Sequence, residues 1–347
     1  MKRNRLGNTG LEVSELCLGT MTFGTRTGVD EAHAQIDMAL DHGINILDTA
    51  ELYPVGPISA ATQGDSERIV GQWVSRSGRR GDVLIATKVT GQGVKHIRNG
   101  APISMATIRE AIECSLRSLR TDYIDLYQLH WPNRPAYTFR RNWTFDPSSQ
   151  DLNQILEHMS EVLETLQGLV NEGKIRFIGL SNESAWGTAR WLRTAEDRGL
   201  PKVQTIQNEY SLLCRLFDTD LSELAHNERV GLLAYSPLAT GLLTGKYRSG
   251  VVPDGSRMSL NPDLAGRATK RAHVAVDRYF DVARRHGLDL IHMALAWCRT
   301  RPFMASAIFG ATRLAHLEHI LRSVTVTLSE DCLMDIDKAH RDNPMPF

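Results

Sequence analysis

The chain has 347 residues, and its 40 Lys and Arg balance 40 Asp and Glu to a formal net charge of zero. That balance excludes the broad positive footprint by which nucleic-acid binders neutralise phosphates, and a 42% hydrophobic content fits a globular chain with a sizeable core. No apolar run reaches the ~18 residues of a membrane span, and no apolar h-region follows the basic N-terminus; the five scattered cysteines (Cys17, Cys114, Cys214, Cys298, Cys332) form no C-x-x-C pair, which points to reduced thiols, no metal site and a cytoplasmic protein.

Residues 2–14 read as strand–turn–strand about Gly7-Asn8-Thr9-Gly10. Eight short apolar runs follow: Leu16–Leu18, Ile44–Leu47, Val83–Thr87, Ile124–Leu129, Arg176–Leu180, Val203–Gln207, Gly231–Tyr235 and Ser306–Phe309. They are nearly continuous rather than alternating, as in strands buried on both faces. Helical periodicity marks Ala32–His42, Ile108–Leu119, the face Ile155, Met159, Val162, Leu163, Leu166 and Val170, and Ala189–Arg198; Gly43 and Gly199 stand at C-cap positions. The alternation predicts an α/β protein: one (β/α)8 TIM barrel domain over residues 1–347, with the hairpin capping its bottom and long loops at its C-terminal face. A doubly wound sheet would need G-x-G-x-x-G between a strand and a helix, and none follows any strand here.

Barrel chemistry sits at the C-terminal ends of strands, and three consecutive runs end on ionisable residues: Asp48, Lys88 and His130. Tyr53 lies five residues past Asp48. Taken singly, Asp48 reads as a helix N-cap, Lys88 as a loop cation, His130 as a core histidine and Tyr53 as a surface aromatic. Together they read as proton-transfer machinery. Hydride reduction of a carbonyl leaves an alkoxide to protonate, and a free tyrosine near 10 is too weak an acid for neutral pH. An ammonium ~4 Å away in an effective dielectric of ~20 would lower that value by at most about three units. Asp48 would hold Lys88, and His130 would polarise the carbonyl.

The segments Asp48-Thr49-Ala50-Glu51-Leu52-Tyr53, Ile85-Ala86-Thr87-Lys88 and Leu126-Tyr127-Gln128-Leu129-His130 resemble the tetrad motifs of the aldo-keto reductase superfamily, from Arg5 to about Leu328. Gly19-Thr20-Met21-Thr22-Phe23-Gly24, His130-Trp131-Pro132 and Ala234-Tyr235-Ser236 are similar to its bacterial Tas-type reductases. The resemblance implies an NADP(H)-dependent oxidoreductase that reduces aldehydes or ketones, with a small-molecule carbonyl or alcohol as its partner. It implies that Tyr53 is the acid/base, tuned by Lys88 and Asp48, with His130 orienting the carbonyl. Implied cofactor contacts are Gly19, Thr20, Met21 and Asp48; Ser181, Asn182 and Gln207 at the carboxamide; Tyr235 against the nicotinamide; Ser236, Leu238, Thr240, Gly241, Leu242 and Lys246 along the pyrophosphate; and Gly310, Thr312, Arg313 and His316 at the adenosine end. Arg313 would grip the 2′-phosphate. The chain departs from the family where relatives carry adenine-facing Gln and Asn, here His316 and Ile320, and at Pro54, where many have glycine.

Read alone, Ser181-Asn182 also suits a helix N-cap and Tyr235 a core aromatic. Residues 131–150 hold Trp131, Tyr137, Phe139, Trp143 and Phe145 and read as a substrate lid, with Trp131 and Phe23 as substrate contacts; residues 246–270 read as a flap over the cofactor. Two alternatives accompany the reductase reading. One is an NADP(H)-binding accessory subunit resembling potassium-channel β-subunits. The other is a metal-dependent barrel hydrolase, disfavoured because no H-x-H closes the first strand.

Overall fold

The computed structural model describes residues 1–347. The eight apolar runs become β3 (Leu16–Gly19), β4 (Ile46–Asp48), β5 (Leu84–Val89), β6 (Ile124–Leu129), β7 (Ile175–Ser181), β8 (Thr205–Glu209), β9 (Gly231–Tyr235) and β10 (Met304–Phe309). They pair in parallel in chain order, and β10 closes on β3. This is the expected (β/α)8 barrel.

The antiparallel pair β1 (Arg3–Arg5) and β2 (Glu12–Ser14) forms the hairpin. Its Leu6 and Val13 pack with Cys17, Ile46, Ala86, Leu126, Leu233, Ala305 and Ile308, plugging the bottom of the barrel. Asn4 Nδ2 donates to Ala305 O at 3.0 Å. At Gly7 the chain turns with φ 58°, and an added Cβ would lie 2.3 Å from Gln204 O, so only glycine admits this approach.

The four helices read from periodicity appear as α1 (Val29–Asp41), α3 (Met105–Leu119), α4 (Leu152–Asn171) and α5 (Ala185–Arg198). The structure adds α2 (Asp65–Ser77), α6 (Asp220–Glu228), the short α7 (Arg257–Leu260), α8 (Lys270–Arg285), α9 (Leu290–Arg299), α10 (Leu314–Leu321) and α11 (Glu330–Asp342). The starts of α3, α4, α5, α8, α9 and α11 are fixed by side-chain oxygens that accept the otherwise orphaned first amides: Ser104, Asp151, Ser184, Thr269, Asp289 and Ser329. Neither Asp48 nor Ser181-Asn182 serves as a cap, since Gly64 opens α2 and Ser184 opens α5. Their side chains are therefore released for other work. No helix is long and apolar enough to cross a membrane.

Strand alternation then decides what faces the barrel axis. Ile46, Ala86 and Leu126 belong to the plugged interior. Two residues on, Asp48, Lys88 and Gln128 point the same way, one layer higher, at the end where the strands open.

Candidate active site

Lys88 is fully buried, and its ammonium finds three acceptors: Asp48 Oδ2 at 2.8 Å, Thr49 O at 2.7 Å and Tyr53 Oη at 3.4 Å. Three donors thus meet three oxygens, which satisfies the group. Gln207 Nε2 donates to the other Asp48 oxygen at 2.7 Å and contacts Gln128 Oε1 at 3.3 Å. The ring of His130 stands edge-on to Tyr53, with centroids 5.7 Å apart. The four strand-end residues are therefore one cluster. Asp48, Tyr53 and His130 line a cavity of about 1640 Å³ at the C-terminal face, and Lys88 supports them from beneath.

The electrostatics depart from expectation at one point. Burial raises the Tyr53 phenol above its ordinary value, and Asp48 adds to the rise; Lys88 pulls it down but does not prevail. The expected lowering is corrected accordingly. For Lys88, burial opposes the charge, yet Asp48 and Tyr53 outweigh it and raise the pKa, so the ammonium keeps its proton. Burial, with Lys88 nearby, holds His130 well below its usual range, so the ring is neutral. His130 Nδ1 is buried without a partner, which leaves Nε2 to meet the cavity.

The Tyr53 loop is held by residues that the sequence reading passed over. Glu51 takes a bidentate pair from Arg98 and a hydrogen bond from Thr90 N at 2.8 Å. Tyr53 O accepts from Gly64 N at 2.9 Å. Above the site, Tyr235 Oη donates to Asn182 Oδ1 at 2.8 Å, and Asn182 Nδ2 donates to His130 O at 2.9 Å. Ser181 Oγ donates to Gln207 O at 2.9 Å. These bonds tie β6, β7, β8 and β9 around the cavity mouth.

Gly19, Met21, Ser181, Asn182, Gln207, Tyr235, Ser236, Leu238, Thr240, Gly241, Lys246, Gly310, Thr312, Arg313 and His316 line the same cavity. Thr20 and Leu242 do not. Thr20 is buried with its hydroxyl on Asp48 O at 3.0 Å, and Leu242 packs into the core. Phe23 is fully buried in the core beneath the loop and touches no part of the cavity, which corrects its assignment as a substrate contact. The loop after β6 is corrected in part. Trp131 and Phe139 face the cavity, whereas Tyr137 and Phe145 pack on each other at 6.2 Å and Trp143 is exposed. Trp131 is seated by Gly91, where a Cβ would lie 2.2 Å from its Nε1.

The flap contributes Pro253 to Arg257 to the lining, and Arg26 reaches across to Gly255 O at 2.7 Å. Arg257 is a cavity residue that the sequence reading missed. It has no carboxylate partner; burial, followed by repulsion from Arg267 and Arg26, lowers it to about 10. Helix periodicity carries no signal for it, because it enters the mouth only through the course of the flap. Elsewhere, Asp289, His292 and His319 hold ligand atoms within 4.8 Å of one another, and His319 also lines the cavity.

The Aldo/keto reductase family model matches residues 15–341. Protein tas of Escherichia coli (strain K12) is 44% identical over 98% of both chains. The uncharacterized oxidoreductase YrpG of Bacillus subtilis is 32% identical over 96% of this chain and 94% of its own length. A probable voltage-gated potassium channel subunit beta of Arabidopsis thaliana is 32% identical over 94% of this chain and 92% of its own. The family model's match along nearly the whole chain, with a relative 44% identical over 98% of it, shows that this chain belongs to the aldo/keto reductase family of oxidoreductases.

Proposed function

We propose that residues 1–347 form one NADP(H)-dependent reductase domain that converts aldehydes or ketones to alcohols, with Tyr53 as proton donor. The observation that carries this reading is the Lys88 ammonium held against both Asp48 and Tyr53 at the cavity floor.

The residues present suit a dinucleotide. The cavity exceeds the ~300–1,000 Å³ of a drug-sized pocket, leaving room for an extended cofactor and a substrate. Lys246, Arg257 and Arg313 line it without carboxylate partners, matching a pyrophosphate and a 2′-phosphate in number and sign. Ser236, Ala239, Thr240 and Gly241 have φ of 55°, 47°, 55° and 102°. A run of positive φ turns backbone amides toward a common centre, a geometry that cradles anions. At the adenine end Thr312 Oγ1 lies 3.2 Å from His316 Nδ1, beside the apolar Ile320. Tyr235 presents a flat ring to the nicotinamide face.

A bound nicotinamide supplies the hydride from C4. The chain's own residues manage the charge that results. Neutral His130 directs Nε2 at the carbonyl oxygen and draws its electrons outward. Tyr53 passes its phenolic proton to the developing alkoxide. The phenolate left behind lies against Lys88, whose charge is fixed by Asp48 and Gln207. Burial keeps water from competing for the proton. The five free cysteines suit a reducing, cytoplasmic setting.

A second reading follows from the Arabidopsis relative: an NADP(H)-binding accessory subunit. Turnover separates the two. Tyr53→Phe, assayed by NADPH oxidation against aromatic aldehydes, should lose carbonyl reduction while NADPH fluorescence titration shows nearly unchanged affinity. Retained turnover would remove Tyr53 as the acid, and absence of turnover in the wild type would favour the accessory reading.

A further inference from the structure

We infer that the carbonyl substrate bears an oxyanion group, carboxylate or phosphate, which Arg140 and Arg141 hold at the outer wall of the mouth. This rests on the reductase reading above and adds the substrate's charge to it.

An aromatic wall runs from the chemistry to these arginines. The His130 and Trp131 ring centroids are 4.8 Å apart, and Phe139 meets Trp131 edge-on at 6.2 Å. Arg140 and Arg141 come next in the chain, and both line the cavity. Phe139 and Arg140 have φ of 57° and 64°. Two consecutive side-chain-bearing residues in the left-handed region are unfavourable and persist only where the surroundings impose them. Here the turn places a ring and then a guanidinium on the same wall.

The charges around Arg140 do not balance. Arg98 and Arg134 each have a carboxylate to themselves, Glu51 and Glu183, in bidentate pairs. Glu209 instead serves two guanidiniums. Arg267 takes it through Nε and Nη2 at 2.5 and 2.9 Å, and Arg140 reaches it only through Nη1 at 3.1 Å. One positive charge remains on this trio. Burial lowers Arg140 from its ordinary value and Arg267 adds to the fall, against the pull of Glu209. Arg141, exposed beside it, pairs with no carboxylate. The acids lining the cavity are Asp48, committed to Lys88 and Gln207, and Asp254 on the flap. A half-buried guanidinium with spare donors beside an aromatic wall is suited to an oxyanion on an apolar body. The arginine is moreover carried by the loop after β6, with its guanidinium on Glu209, rather than by the Ser236–Gly241 turn proposed for the cofactor phosphates.

The test compares 4-formylbenzoate with its methyl ester, which have similar shape but differ in charge. The ester group withdraws more from the ring and makes the better intrinsic hydride acceptor, so any preference for the carboxylate runs against intrinsic reactivity and is read in KM. NADPH-dependent kcat/KM should favour the carboxylate about tenfold, mainly through KM, equivalent to about 1.4 kcal/mol. The ratio should fall towards one in Arg140→Gln and be reduced in Arg141→Gln, which leaves the Glu209 pairs untouched. A wild-type ratio of one or less overturns the inference, as does a ratio that both variants retain. If neither aldehyde is reduced, the reductase reading fails on its own account. Tryptophan-fluorescence titration of the cofactor-loaded protein with 4-(hydroxymethyl)benzoate and its methyl ester then decides the charge question without turnover: tighter carboxylate binding supports it and equal affinities overturn it.

Discussion

Replacing Lys88 by methionine would strip three oxygens of one donor group and separate the structural from the catalytic use of the same charge. Asp48 would be left buried with only Gln207 at 2.7 Å. Removing one partner of a buried ion pair costs about 3–5 kcal/mol, whereas replacing both by uncharged groups of similar volume is often neutral. Lys88→Met should therefore lose about 3–5 kcal/mol in urea denaturation, and Asp48→Asn/Lys88→Met should recover most of it. Activity should not recover. At the observed 3.4 Å, and with an effective dielectric of ~20, the ammonium favours a phenolate by at most about 5 kcal/mol. Turnover of an aromatic aldehyde should thus fall by up to about three and a half orders of magnitude in both variants. Denaturation midpoints and initial rates of NADPH oxidation on all three proteins provide the comparison. A Lys88→Met enzyme with more than a tenth of wild-type kcat would refute phenolate compensation. A double variant no more stable than the single would refute the orphaned carboxylate.

Two further outcomes follow from charge placement. Arg313→Ala should raise the Michaelis constant for NADPH at least tenfold more than that for NADH, because a charge-assisted hydrogen bond contributes about 1.5–3 kcal/mol; equal rises would move the 2′-phosphate elsewhere. Burial pushes the Glu67 carboxyl up to about 7 against the lowering effect of its bond from Thr87 Oγ1 at 2.6 Å. Its folded form stays protonated where the unfolded form, with a pKa near ~4.3, has ionised. Its contribution to stability is therefore complete below that value and is lost as pH rises through 7. The stability of Glu67→Gln relative to wild type should increase from pH 5 to pH 8 by a few kcal/mol, about 1.4 per pK unit; a difference independent of pH would refute the burial argument.

The barrel was legible because strands covered on both faces write themselves as apolar runs. Ile124–Leu129 and Gly231–Tyr235 coincide with β6 and β9 to the residue. Val203–Gln207 lies two residues early, since Val203 is as buried as a strand residue while pairing begins at Thr205. The strand-end quartet was legible for a related reason. Period-two alternation puts Asp48 and Lys88 directly above Ile46 and Ala86, so neighbours in sequence fix which way they face. Nothing comparable constrains loops. Phe23 and Trp131 are both aromatics just past a strand, yet one is folded under its loop and the other is seated over Gly91. Arg140 and Arg257 reach the mouth from segments without periodicity, and the positive charge left over around them becomes visible only once the carboxylates have been assigned.

Tyr53 illustrates the distinction between a residue's placement and its energy. Motif spacing brings the phenol to Lys88, and from contact alone the ammonium should lower its pKa. The same packing that produces the contact also removes water from the ring and sets Asp48 behind the lysine. Solvation lost by a phenolate exceeds what one ammonium at 3.4 Å returns when a carboxylate at 2.8 Å already claims that charge. The rise reinforces the protonated state of the phenol, which the proposed proton donor would require. A carbonyl gaining negative charge against Tyr53 changes that balance by drawing the proton outward, and Lys88 then faces an anion on each side. On the proposed reading, the lysine would stabilise the product of proton transfer rather than prepare the phenolate in advance.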